Sequence, residues 1–242
     1  MLKTSIIFTA YDSTQLLRQI SCLALQSIMK YTDDKDYELI FMDTIPSGCE
    51  NHLRFDDAYN CIELNQRPDR RWIQRLEDEE GDPGQYEMYN IGATYASGDL
   101  LCFYQNDVFV TEGWLPTLRY YIEKDMADVV FPDQGGRKRQ EMLDSYDLTP
   151  EEAIGGERNA GLILMTREAF DKSGGWDGRI KLNYGEKRFY SDLEETGARL
   201  LTTYKTRIMH IASATNWDKK TRDVDLFNKQ TDISTEALNA PR

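Results

Sequence analysis

The sequence is short of the residues that build most metal and redox centres. Of its 242 residues only two are histidine, His52 and His210, and four are cysteine, at 22, 49, 61 and 102, with no C-x-x-C pair. A zinc site assembled from several His and Cys ligands is therefore not expected. The cysteines read as buried free thiols. Basic charge is also scarce: 29 Lys and Arg stand against 42 Asp and Glu, a net charge of −13. That argues against broad electrostatic binding to nucleic acid. Two local basic clusters, "GGRKRQ" at 135–140 and Arg67, Arg70 and Arg71, read as solvated loop or helix faces. No apolar run approaches the roughly 20 residues of a membrane-spanning helix. The first apolar run is too short for a signal-peptide core and no small-residue cleavage site follows it, so a cytoplasmic protein is expected. There is no internal repeat, no G-x-G-x-x-G and no P-loop. What remains is an ordinary soluble composition, 40% hydrophobic and 29% charged, sized for one large domain or a domain with a small appendage.

The apolar pattern alternates between strand-like and helix-like periods. "TSIIFT" (4–9), "YELIFMD" (37–43) and "NCIEL" (60–64) read as strands, and "TQLLRQISCLALQSIMKY" between the first two reads as a helix capped by Ser13 or Thr14. Residues 65–84 are polar and end in an acidic loop. "QYEMYNIGATYA" (85–96) reads as a helix closed by Gly98, followed by a strand at 99–104. A helix at 113–124, with Pro116 in its first turn, precedes a strand at 128–132. The pattern dissolves from Asp133 to Glu157, a length of loop that is usually functional. It resumes with a strand at 160–166, a short helix stopped by Gly174 and Gly175, a helix ending near Gly197, a strand, and a last strand in "TRIMHIAS". Alternation of this kind favours a parallel sheet with helices on its faces. The polar segment 216–242 reads as a tail.

In an open α/β sheet, ligands gather outside the carboxyl ends of the strands. Those ends carry Ala10-Tyr11-Asp12, Asp43, Gln105-Asn106-Asp107 and His210. "DLLCFYQNDVF" (99–109) is the most telling, because a buried strand breaks into three polar residues. An aromatic ring with a carboxylate can hold a nucleobase. A carboxylate with an imidazole can hold a divalent cation, which would neutralise a diphosphate leaving group. Carboxylate, amide and one imidazole suit Mn or Mg better than zinc.

"YNIGATYASGDLLCFYQND" resembles the central block of family-2-type glycosyltransferases with the GT-A fold, with Asn90, Gly92, Ala96, Gly98, Asp99, Phe103 and Asp107 in the matching places. "SIIFTAYD" resembles that family's opening strand and Pro-x-Tyr-Asn turn, with Ala10 and Asp12 as departures. "ELIFMD" resembles its second strand, "GLILMTREAFDKSGGWDGR" its acceptor-side segment, and "YGEKRFYSDLEETGARL" the helix that carries Glu-Asp at its start. The resemblance covers about residues 3–215.

It implies an α/β, GT-A-like domain over 1–215: a central, mostly parallel sheet flanked by helices, with a Rossmann-like nucleotide-binding half and an acceptor-side half. It implies glycosyl transfer from a nucleoside diphosphate sugar to an acceptor hydroxyl, with inversion and with a divalent metal, Mn or Mg. Donor-side residues would be Ala10, Tyr11, Asp43, Asn90, Gln105, Asn106 and Asp107, with Asp107 and His210 as metal ligands. Glu186 would take the acceptor proton, with Asp177 as its reserve, and Trp176 and Asp177 would hold sugar hydroxyls, the indole face serving as a platform. The 133–157 loop would close over the donor. Gln105 stands where the metal motif normally has its first Asp, and Glu186 is followed by Lys187 rather than Asp. Both departures keep a second reading open: a GT-A module that binds nucleotide sugar without catalysis. A transferase acting on modified DNA bases is a third, opposed by the acidic balance.

Overall fold

In the computed structural model, described over residues 2–12, 14–33, 35, 37–45, 69–76, 84–134, 148–155, 158, 161–180 and 185–211, ten strands and five helices are assigned. They are β1 (Thr4–Tyr11), α1 (Gln15–Tyr31), β2 (Tyr37–Ile45), β3 (Arg70–Leu76), α2 (Gln85–Tyr95), β4 (Leu100–Gln105), β5 (Val108–Phe109), α3 (Trp114–Glu123) and β6 (Val129–Asp133), then β7 (Ile154–Gly155), β8 (Leu162–Thr166), α4 (Arg167–Ser173), α5 (Gly185–Glu195), β9 (Leu200–Arg207) and β10 (Met209–His210). Eight strands form one sheet in the order β3-β2-β1-β4-β8-β6-β9-β7, and β5 with β10 forms a separate two-stranded sheet. Neighbours from β3 to β4 are parallel. β8 runs antiparallel between β4 and β6, β9 is parallel to β6, and β7 is antiparallel to β9. Parallel pairings therefore outnumber antiparallel ones in the large sheet.

The central strands are apolar on both faces, as strands covered by helices on both sides must be. Ile6, Phe8, Cys102 and Tyr104 face one core, filled by Leu25 and Ile28 of α1 and Trp114 and Leu118 of α3. Ile7, Leu101 and Phe103 face the other, filled by Tyr89 of α2, Phe170 of α4 and Phe189 of α5. Thr14 caps α1 by accepting from the Leu17 N–H at 3.2 Å, which pins the helix start just after β1.

Several expectations are revised. The polar stretch after residue 65 holds β3, an edge strand whose arginines hid it. Among the described residues "TRIMHIAS" is divided: Thr206 and Arg207 end β9, and Met209 and His210 form β10. Gly98 is not the helix cap, since Ala96 ends α2 with extended geometry. A Cβ on Gly98 would sit 2.7 Å from both the Lys3 carbonyl oxygen and Ser5 Oγ, so the glycine is there to let β1 approach. A two-residue strand, β7, lies inside the segment read as a loop. The expected strand at 60–64, the tail 216–242 and most of the 133–157 loop fall outside the described residues.

Candidate functional site

β1 stays paired with β2 as far as Tyr11↔Thr44, but its pairing with β4 ends at Thr9↔Gln105. The sheet therefore forks at Ala10 and Tyr11, between β1 and β4. Strand order also reverses there, because β2 and β3 lie to one side and β4 to the other. Such a switch point is where open α/β sheets take their ligands. Ala10 turns its methyl into the core, whereas Tyr11 is half-buried at the fork.

Beneath the fork lies a buried charge cluster. Asp43 is fully buried; Arg18 Nη1 donates to its two oxygens at 3.3 and 3.1 Å, and Trp72 Nε1 donates to Oδ2 at 3.1 Å. Asp12, equally buried, faces Arg18 Nε at 3.4 Å and accepts from Ser21 Oγ at 2.7 Å. Asn106, expected among the donor-side residues, is turned inward. Its Nδ2 donates to Asp12 Oδ1 at 3.1 Å and to Ser21 Oγ at 2.9 Å. Gln105, at the end of β4, is half-exposed.

Asp107 and His210 meet. The Asp107 Oδ1–His210 Nε2 distance is 3.1 Å, and both side chains are largely buried. Backbone pairing explains why. His210 lies opposite Val108 in the β5–β10 pair, and the Ile211 N–H donates to the Asp107 carbonyl at 2.9 Å. The Gln134 amide hydrogen-bonds the other ring nitrogen, Nδ1. A Cβ on Gly161 would lie 3.2 Å from that nitrogen, so the glycine leaves room for the ring. Among the described residues no group of three or more His, Cys, Asp or Glu could enclose a metal. A carboxylate–imidazole pair nonetheless fits a Mn- or Mg-type cation, which takes much of its coordination from phosphate oxygens and water.

On the other face of the sheet the acceptor-side residues form a second group. Asn90 does not face the donor rim. Its Nδ2 donates to the Trp176 carbonyl at 2.8 Å and its Oδ1 accepts from the Trp176 N–H at 2.9 Å, so it clamps the Gly174-Gly175 turn. Trp176 is 3% exposed and stacks on Tyr86 and Phe189, with ring centroids 5.1 and 3.9 Å apart. The indole is thus part of the core and offers no open sugar platform, contrary to expectation. Asp177 is held by Arg179, with Nε–Oδ1 2.8 Å and Nη2–Oδ2 2.6 Å. Glu186 opens α5 and accepts from the Tyr86 hydroxyl at 2.5 Å. Burial foremost, then the charge and hydrogen bond of Glu186, push the Tyr86 phenol well above its ordinary range, so it remains a donor.

The architecture and the match to known proteins agree. Residues 72–184 match the model for glycosyl transferase family 2. The chain has the GT-A fold. A crystal structure of GalNAc-T7 with UDP, GalNAc and Mn2+ superposes with a TM-score of 0.62 at 18% identity, covering 87% of this chain and 44% of that one. S. aureus TarS superposes with a TM-score of 0.62 at 14% identity, over 98% of this chain and 43% of that one. TarS residues 1–349 give 0.59 at 13% identity, over 98% and 71%. The chain thus spans less than half the length of the first two GT-A proteins. No curated protein matches the sequence significantly.

Sequence reading missed Arg18, Trp72, Tyr86 and Gln134. A buried arginine on the apolar side of α1, one helical turn after Thr14, was a signal for the first. The others carry none, because their partners lie 29 to 100 residues away.

Proposed function

We propose that this chain transfers a glycosyl group from a nucleoside diphosphate sugar to an acceptor hydroxyl, with inversion and with a divalent cation, Mn or Mg. The observation that carries the reading is the 3.1 Å approach of Asp107 to His210 at the carboxyl rim of a GT-A sheet. The family 2 match over 72–184 supports the reaction class. The UDP, GalNAc and Mn2+ in the GalNAc-T7 crystal support a nucleotide-sugar donor and a metal.

In this reading residues 1–215 are the catalytic domain. Tyr11 stacks on the base, and Asp43, held rigid by Arg18 and Trp72, lies beneath it and would accept an N–H from it once the fork opens to admit the base. Gln105 reaches the ribose. A cation held by Asp107 and His210 would offset the charge that develops on the departing diphosphate. Glu186 accepts the acceptor proton on the carboxylate oxygen not taken by Tyr86. Asp177, both of whose oxygens are engaged by Arg179, is the reserve in this role. The buried thiols Cys22 and Cys102 fit a reducing compartment, the cytoplasm. Among the described residues no helix is long and apolar enough to cross a membrane.

Isothermal titration with UDP and with GDP, each with and without Mn2+, tests the site. One nucleotide should bind, and more tightly with Mn2+. In Asp107→Ala the gain from Mn2+ should disappear. Absence of binding by either nucleotide under both conditions rejects the reading. A binding module without catalysis is the second reading, favoured by Gln105 in the metal motif. Release of UDP from a donor sugar separates the two.

A further inference from the structure

The Tyr86–Glu186 contact joins two helices one hundred residues apart in the chain, and the sequence around it is arranged to permit it. Tyr86 lies in the first turn of α2 and is buried. Its ring stacks on Trp176 at an interplanar angle of 15°. Trp176 is fixed in turn by both ends of the Asn90 amide and by Phe189. The ring therefore has little freedom to turn. The residue before Glu186 is Gly185, where a Cβ would stand 2.1 Å from the Tyr86 ring. Any larger residue at 185 would push tyrosine and helix apart. The hydroxyl ends 2.5 Å from Glu186 Oε2.

We propose that Tyr86 is a positioning residue for the reaction. It holds Glu186 Oε2 so that Oε1 faces the acceptor hydroxyl. This rests on the reading of Glu186 as the base. A carboxylate in the first turn of a helix, half-buried and free to rotate, would spend much of its time misaligned, and misplacement of this kind costs rate rather than affinity. The donor must stay protonated for the arrangement to work. Burial and the neighbouring charge keep it so. Among the described residues, the titratable and charged groups around the pair include Tyr89 on α2, Tyr190, Lys187 and Arg188 on α5, and Arg158, whose guanidinium lies 5.9 Å over the Tyr190 ring. Arg188 is paired with Asp192 at 3.2 Å and Arg158 with Glu194 at 2.5 Å. Among these groups it is Tyr86 that hydrogen-bonds Glu186.

The test uses the full chain with Mn2+ and UDP-N-acetylgalactosamine, reading UDP release to water, together with the 13C resonance of the Glu186 carboxylate in the free protein. Tyr86→Phe keeps the ring and its stack on Trp176, so the fold is retained. The expected result is a fall in kcat of about tenfold to a hundredfold with donor KM unchanged, the size set by a hydrogen bond to a charged group. The Glu186 resonance, assigned by its loss in Glu186→Gln, should move. In the Glu186→Gln background, Tyr86→Phe should cost almost nothing further, since the tyrosine acts through that carboxylate. An unmoved resonance, or an equal cost in both backgrounds, overturns the proposal. If Glu186→Gln itself turns over normally, the base assignment fails, while the resonance still decides whether Tyr86 fixes the carboxylate.

Discussion

Strand β2 carries a carboxylate at each end, and the two are held in opposite ways. Glu38, at the amino end, meets mostly neutral donors from two other segments: Ser5 Oγ at 2.6 Å, the Ser97 N–H at 2.6 Å and the Ser97 hydroxyl at 3.0 Å, with Lys3 Nζ at 3.2 Å. Asp43, at the carboxyl end, shares one buried guanidinium with Asp12. The first arrangement ties β1, β2 and the segment after α2 into one staple. The second is a buried ionic cluster under the fork in the sheet, where Asn106 also donates to Asp12, and buried ion pairs of this kind are weak evidence for stability. The amino end ties the sheet together, whereas the carboxyl end lies where the proposed donor would dock.

The sharpest way to break this comparison is to remove the shared cation. Arg18→Met should lower the unfolding free energy by about 3–5 kcal/mol, the usual cost of leaving a buried ion without its partner. Urea denaturation measures it. Adding Asp12→Asn and Asp43→Asn should recover much of that loss while nucleotide binding stays weak. If Arg18→Met is neutral, the cluster is not the buried ion network described.

Glu38→Gln should cost less, about 1–3 kcal/mol, because the lost partner leaves buried donors partly unsatisfied. Nucleotide affinity should not change. The pH dependence follows from the same contacts. Burial pushes the Glu38 carboxyl up, but the hydrogen bonds from Ser5, Ser97 and Lys3 outweigh it, and the net direction is down from 4.5. A folded-state value below the unfolded one adds stability above the unfolded value, and that stability is lost as pH falls through the folded value. Wild type should therefore lose stability on acidification below pH 4.5 more steeply than Glu38→Gln. Parallel curves would remove Glu38 from the staple.

The same contrast marks what the sequence reveals. Strands with two apolar faces, such as "TSIIFT" and "LLCFYQ", announce themselves, and so do helix stops at Gly174 and Gly197, both at positive φ. β3 does not, because "RRWIQRL" is an edge strand whose arginines break its apolar pattern, although Arg70 reaches Met29 and Arg71 the Tyr95 carbonyl. At the site, the ends of the strands and the pairing of Asp107 with His210 follow from topology. The direction in which a side chain turns there does not. Asn106 looks inward because Asp12 and Ser21, some ninety residues earlier, offer it acceptors. Trp176 is buried because two rings from other helices close on it. Such choices depend on long-range partners that local pattern does not encode.

The smallest expected effect concerns Gln134, which touches His210 at Nδ1 while Nε2 faces Asp107. If the amide donates to Nδ1, the ring proton sits on Nε2 and points at the Asp107 carboxylate. For Nε2 to bind a cation, the proton must move to Nδ1 and Gln134 must turn its carbonyl oxygen toward the ring. An amide can serve either state by rotating through 180°. Gln134→Ala removes this support and should weaken Mn2+ binding by about tenfold, the low end for residues that orient a metal-binding histidine. Titration of Mn2+ into the protein with UDP present measures it. The ring nitrogens report the cause directly, because the chain has only two histidines and His52→Gln leaves His210 alone in a 15N spectrum. The wild-type spectrum should show one tautomer, which changes on adding UDP and Mn2+; Gln134→Ala should show a mixture without them. A spectrum unaffected by the substitution would mean that the β5–β10 pairing and Gly161 are sufficient to orient the ring.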